Sequence, residues 1–219
     1  MIKNNKIQYS MLNEIDKKNN KERFNELLLS TKRKNIQTLV DWLETTDFYE
    51  APASVSHHGN YTGGLCEHSI NVYEAAKNVA DYITKIKGAE FKDDSLIIAS
   101  LLHDLCKVNF YVPVVKNRLI EGEWKQINTW DHVDSFPFGH GEKSVLMVKQ
   151  FINLKVDEML AIRWHMGQFD AGVTLDYATK AAYNSATSMY PLVPVVNLGD
   201  ITASLLVEDK MDFDIVDYE

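Results

Sequence analysis

The chain is poor in cysteine and proline, lacks any long apolar run, and begins without an apolar leader. Two cysteines in 219 residues cannot form a disulfide framework. Cys66 and Cys106 each sit in an apolar helical run, as thiols that pack a core do. No stretch approaches the ~20 apolar residues that cross a bilayer. The opening M-I-K-N-N-K is polar and charged, so the expectation is a cytoplasmic protein with no secretory signal and no membrane partner. Three motifs are also missing: G-x-x-x-x-G-K-[ST], G-x-S-x-G and H-E-x-x-H. Their absence removes P-loop, serine-hydrolase and common zinc-protease chemistry.

Positive charge is scarce outside the first residues. The formal charge is −8, yet residues 1–36 carry nine Lys/Arg against four Asp/Glu, a net of +5 that leaves −13 for the rest. An acidic body argues against duplex nucleic acid, which is held by Lys and Arg facing phosphates. Small anionic substrates remain compatible, because bound cations supply positive charge locally. Three stretches follow: a polar, basic leader with a first helix (1–36), a main domain (37–207), and an acidic tail (208–219).

What is present is mostly helical. Apolar residues recur at helical intervals over 22–30, 34–43 and 65–87, then again over 142–152, 156–165, 177–189 and 193–207. Segment 93–108 is apolar all round and reads as a buried helix. Between Asn109 and Asp134 the pattern alternates around E-G-E, predicting a hairpin flap. The fold expected is mainly α: one helical bundle with a small β-hairpin.

Within this frame lie residues with no place in an apolar core. His103 and Asp104 are adjacent inside S-L-L-H-D-L-C-K, and burying such a pair is costly unless something compensates. His68 opens a helix, His140 lies in F-G-H-G-E, His165 in R-W-H-M, and Asp200 in V-N-L-G-D. Imidazoles and carboxylates hold divalent iron, manganese or zinc. Adjacent helical residues point ~100° apart, so His103 and Asp104 can share a centre only near a helix end or bend. There Asp104 can bridge two ions, with His68, His103 and Asp200 on the first and His140 and His165 on the second. Lys107, one turn beyond His103, would neutralise a phosphate oxygen or hold a carboxylate ligand. His57 and His58, a short loop before His68, would touch the leaving group or shuttle protons. Asn60 and Tyr61 suit loop roles, Glu67 a solvated helix position, and Arg163 a surface charge. Trp124, Trp130, Asp131, His132 and Phe138 belong to the flap, where aromatics pack or stack on a base.

The ordered set H…HD…H…H…D over about residues 57–207 resembles the two-metal branch of the HD superfamily of metal-dependent phosphohydrolases. The run from His57 to His68, H-H-x-x-x-x-G-G-L-x-E-H, is similar to the HD domain of bacterial 3′→5′ exonucleases. That resemblance implies an HD-domain helical bundle, two divalent ions such as manganese or iron, and a small phosphorylated substrate, a nucleotide or short phosphodiester, cleaved by a metal-bridging hydroxide. Asp104, Lys107, His57 and His58 would form the catalytic set. Two other readings share the ligands: a diiron oxygenase acting on a polyol or phosphonate, and a non-catalytic metal-binding sensor.

Overall fold

In a computed structural model, residues 12–212 and 214–215 are described. Among these residues nine α-helices precede or follow one hairpin: α1 (Glu14–Ser30), α2 (Ile36–Leu43), α3 (Gly64–Lys87), α4 (Asp93–Leu101), β1 (Tyr111–Ile120), β2 (Glu123–His132), α5 (His140–Lys149), α6 (Val156–Arg163), α7 (Ala171–Leu175), α8 (Tyr177–Met189) and α9 (Leu192–Thr202). The mainly α architecture with a hairpin is as expected. No single helix among the described residues is long and apolar enough to cross a membrane.

Local chemistry explains most boundaries. The Asn13 carboxamide accepts from the Ile15 and Asp16 amides at 2.9 Å and starts α1 well before the predicted residue 22. Gly88, at φ +68, closes α3 in the left-handed conformation that glycine adopts without strain. At the hairpin tip Glu121 and Gly122 both have positive φ, and Ile120 pairs with Glu123, so E-G-E is a two-residue turn. Part of the acidic tail joins the sheet: β3 (Asp214–Ile215) pairs with β2 through Ile127 and Asn128. The first eleven residues of the basic leader, and residues 213 and 216–219 of the tail, lie outside the described set.

Helix α3 is the central member, packed against α1, α4 and α9. Leu65, Val72 and Ala76 on its inner face are fully buried, as are Leu28, Leu39, Ile98 and Leu102 around it. Two glycines set the closest approaches. A Cβ on Gly199 would fall 2.7 Å from the Val72 carbonyl, so α9 lies against α3 only because that position has no side chain. A Cβ on Gly141 would fall 2.2 Å from the Arg163 carbonyl, which brings the start of α5 to the end of α6.

Four expected helices end early, α5 at Lys149 and α6 at Arg163 by two or three residues and the other two by more. Segment 93–108 is not continuous: α4 stops at Leu101, the chain turns through His103 and Asp104, and a 3₁₀ turn follows over Leu105–Lys107. Helix α9 gives way at Ala203 to a π turn, Ala203–Val207, leaving Leu205 and Leu206 exposed. Helix α7 is too short for a periodic signal.

Candidate metal centre

His103 and His165 occupy equivalent places. Each lies just past a helix end, where the last carbonyls have no helical partner. His103 Nδ1–H donates to the Ser100 carbonyl and His165 Nδ1–H to the Ile162 carbonyl, both at 2.7 Å. Capping their own helices fixes both rings with Nε2 pointing inward, and both residues are completely buried.

The other two imidazoles are fixed by side chains. His68 Nδ1–H donates to both oxygens of Glu208 at 3.0 Å. His140 Nδ1 lies 3.2 Å from the Cys106 sulfur. All four Nδ1 atoms are therefore committed and all four Nε2 atoms face one centre, the arrangement by which outer partners orient metal-binding imidazoles.

Asp104 occupies the middle, 3% exposed. Its two oxygens serve different pairs. Oδ1 is 2.7 Å from His140 Nε2 and 3.4 Å from His165 Nε2. Oδ2 is 3.6 Å from His68 Nε2 and 3.4 Å from His103 Nε2. Asp200 Oδ1 sits 3.4 Å from His68 Nε2. Gly199, the residue before it, permits this closeness; Asp200 lies within α9 and caps nothing.

The donor set fits divalent cations on two observations of its own. The Nε2 atoms of His68 and His103 face each other at 3.2 Å, where two lone pairs would repel unless a proton or cation lies between. His165 Nε2 is buried with no hydrogen-bond partner among the described residues, a cost that a ligand bond removes. Groups of three ligand atoms within 4.8 Å of one another include His68–His103–Asp104, His103–His165–Asp200 and Asp104–Cys106–His140.

The electrostatics are those of a cluster balancing its own charge. Burial opposes the charged form of His68, but the Asp200 and Glu208 carboxylates outweigh it and raise the pKa to about 10. Burial likewise opposes charge on His140, and Asp104 raises it to about 9. Asp200 and Asp104 are held well below the usual carboxylate range despite burial, by their imidazole and lysine neighbours.

Lys107 is expected on the face of His103 but lies against Asp104 instead. The 3₁₀ turn brings its Nζ to 2.6 Å from Asp104 Oδ2, and it also donates to the Ala53 carbonyl at 2.6 Å. Its ammonium is thus engaged by the carboxylate, the second of the two roles expected of it. His57 is exposed and His58 half-buried on the wall of a cleft of about 700 Å³ that opens onto the centre. The His58 ring lies 4.8 Å from that of His68, tilted by 36°, and burial together with the neighbouring positive charge lowers its pKa to about 4. A protonated His58 at neutral pH, as a proton donor would require, is therefore not what this environment favours.

Several neighbours escaped the sequence reading. Glu208 looked like the first residue of an acidic tail, and Cys106 like a core thiol. Asn197, one turn before Asp200, donates to the His165 carbonyl. Arg163 is paired with Glu142 and Asp170 and lies over Trp164 at 3.9 Å, so it is not a free surface charge. Glu67 is half-buried and accepts from the Tyr61 hydroxyl, so it is not solvated. The flap residues make their contacts outside the candidate centre: Trp124 is 74% exposed, Asp131 pairs with Lys116, His132 stacks on Phe110 and Phe138 on Phe136. The spacing of Asn197 from Asp200 was a readable signal; the others needed the fold.

Comparison with known proteins accords with this geometry. A family model described as HD domain matches residues 65–203. The chain is 37% identical over 91 residues to a dihydroneopterin 2′,3′-cyclic phosphate phosphodiesterase of Methanocaldococcus jannaschii, covering 42% of the chain and 32% of that protein. It is 30% identical over 112 residues to the 3′-5′ exoribonuclease YhaM of Listeria monocytogenes, covering 49% and 34% respectively. The chain thus spans about a third of the length of these curated relatives. No solved structure matches it at the same stringency.

Proposed function

This chain belongs to the HD domain family, and from that premise we propose that it is a phosphohydrolase that binds two divalent cations and cleaves a nucleotide or a short phosphodiester. The observation that carries the reading is the division of Asp104, whose Oδ1 faces His140 and His165 while Oδ2 faces His68 and His103. His68, His103 and Asp200 would hold one cation, His140 and His165 the other, with Asp104 common to both. Manganese and iron suit such nitrogen and oxygen donors. Cations bound there supply a water of lowered pKa and offset charge on phosphoryl oxygens.

The chain's own residues do the rest. Lys107 keeps Asp104 ionised and in place through its 2.6 Å contact. Glu208 and Cys106 hold the His68 and His140 rings with Nε2 forward. His57, exposed at the cleft mouth, is the imidazole left to donate a proton to the leaving oxygen, since burial keeps His58 neutral. Met166, Phe169, Ile201 and Leu205 line one wall of the cleft, whose apolar surface limits water around the reacting group. The relatives support phosphoester cleavage, one named for a cyclic phosphate and the other for RNA.

The test is turnover by the manganese- or iron-loaded protein. Hydrolysis of 2′,3′-cyclic AMP or bis-p-nitrophenyl phosphate is expected, and chelation should abolish it. A fully loaded protein that leaves every phosphomonoester and phosphodiester intact would refute the reading.

A further inference from the structure

Beside the cleft lies a second cavity of about 160 Å³, between the hairpin and the loop that precedes α3. One strand of backbone separates the two spaces. Ser54 and His57 line the cleft, whereas Val55 and Ser56 line the second cavity. Lys210 lines both.

The backbone on either side of Lys210 is tied down. Glu208 accepts hydrogen bonds from His68 and from Asn71, the Asp209 carbonyl accepts from the Gly59 amide at 3.1 Å, and the Asn60 side chain accepts from the Met211 amide at 2.7 Å and donates to its carbonyl at 3.2 Å. Yet the Lys210 ammonium has no partner among the described residues. Lys107, the other lysine of the cleft, is engaged by Asp104 and Ala53. Lys210 is therefore the available ammonium at the junction, and the anchored backbone presents it there.

The shape of the second cavity selects what it holds. By the same measure it is less than a quarter of the 700 Å³ cleft, a space for a small flat group beside the larger one. Trp130, Pro113 and Met211 give it apolar faces, while Thr62 and Thr129 bring hydroxyl groups to it. Trp130 is held in place by its own Nε1–H, donated to the Asn60 carbonyl at 3.3 Å. Apolar faces with polar groups at the edge suit a planar ring that hydrogen-bonds along its rim.

Building on the phosphohydrolase reading of the cleft, we propose that this cavity is the subsite for a planar nitrogen heterocycle carried by the substrate, with Lys210 pairing an anionic phosphate oxygen at the junction. The substrate is then bipartite: phosphate in the cleft, ring beneath the hairpin.

Calorimetric titration of the manganese-loaded full chain with AMP and with inorganic phosphate tests both halves. AMP should bind at least about tenfold more tightly than phosphate, the scale of one good charged or stacked contact. Ser56→Phe fills the ring cavity and should erase that advantage while phosphate binding persists. Lys210→Ala should weaken both ligands by about tenfold, and Lys210→Arg should restore them. AMP binding no tighter than phosphate, or AMP affinity unchanged by Ser56→Phe, overturns the ring subsite. Phosphate affinity unchanged by Lys210→Ala overturns the role of the lysine. Turnover of bis-p-nitrophenyl phosphate by the same preparations separates the two readings. Turnover with failed AMP results discards the subsite alone, whereas the expected AMP results without turnover discard the hydrolase and leave the binding site.

Discussion

Asp104 is the residue on which the centre turns, because each carboxylate oxygen addresses a different pair of imidazoles. Asp104→Asn removes the negative charge that both halves share and turns one of the two oxygens into an NH2 donor. Metal affinity should fall by more than about a hundredfold, beyond the loss typical of an outer partner, with activity lost as well; metal content after dialysis and turnover check it. The raised imidazole pKa values give a second expectation at this scale. Metal binding needs neutral imidazole, so below about 9 to 10 it must displace protons from His140 and His68. Apparent manganese affinity should therefore rise between pH 6 and pH 8, with proton release visible in calorimetry using buffers of different ionisation enthalpy. A pH-independent affinity would contradict it. For the metal-free fold the sign reverses. A raised histidine pKa contributes stability that is complete below its unfolded value, near 6.5, and fades as pH climbs through about 9 to 10.

At the scale of elements, broken helices build the site and close helix packing completes it. An unbroken helix over 93–108 would point His103 and Asp104 apart, whereas the turn after Leu101 gathers them and the 3₁₀ step delivers Lys107 to Asp104. Glycine at 199 then sets the distance between α9 and α3. Gly199→Ala places a Cβ about 2.7 Å from the Val72 carbonyl and 2.8 Å from the Ala76 Cβ. The overpacking should cost about 1–3 kcal/mol and move Asp200 away from His68. Urea denaturation should show the stability loss and metal titration a weakened centre; a variant as stable and as tightly loaded as the parent would count against this packing. Another element contact is electrostatic. Glu158 is fully buried at the start of α6, where it accepts from the Ser95 hydroxyl at 2.7 Å and pairs with Arg33 ahead of α2. Glu158→Ala removes this partner while Arg33 keeps Asp94 at 3.0 Å, so stability should fall by about 1.5–3 kcal/mol, as urea denaturation would measure.

For the whole molecule, an occupied centre would act as a staple between distant parts of the chain. Its candidate ligands come from α3, the turn after α4, α5, the turn after α6, and α9, so an ion bound there would join elements far apart in sequence. Occupancy should stabilise the fold by about 2.7 kcal/mol at a hundredfold excess over Kd, or roughly 5–10 °C in Tm for a chain of this length. Thermal scans with and without chelator measure the difference, and coincident melting would show that the ligands are not shared in this way.

Residue order alone fixed the helical class, the hairpin with its E-G-E tip, and the candidate ligands His68, His103, Asp104, His140, His165 and Asp200. The reason is that period and turn chemistry are local, and buried imidazoles and carboxylates stand out against apolar runs. Glu208 beneath His68, Cys106 beneath His140, the engagement of Lys107 by Asp104 and the second cavity beside Lys210 came only with the tertiary structure. Each depends on where a helix breaks or how closely two helices approach, and those outcomes are settled by contacts between residues far apart along the chain.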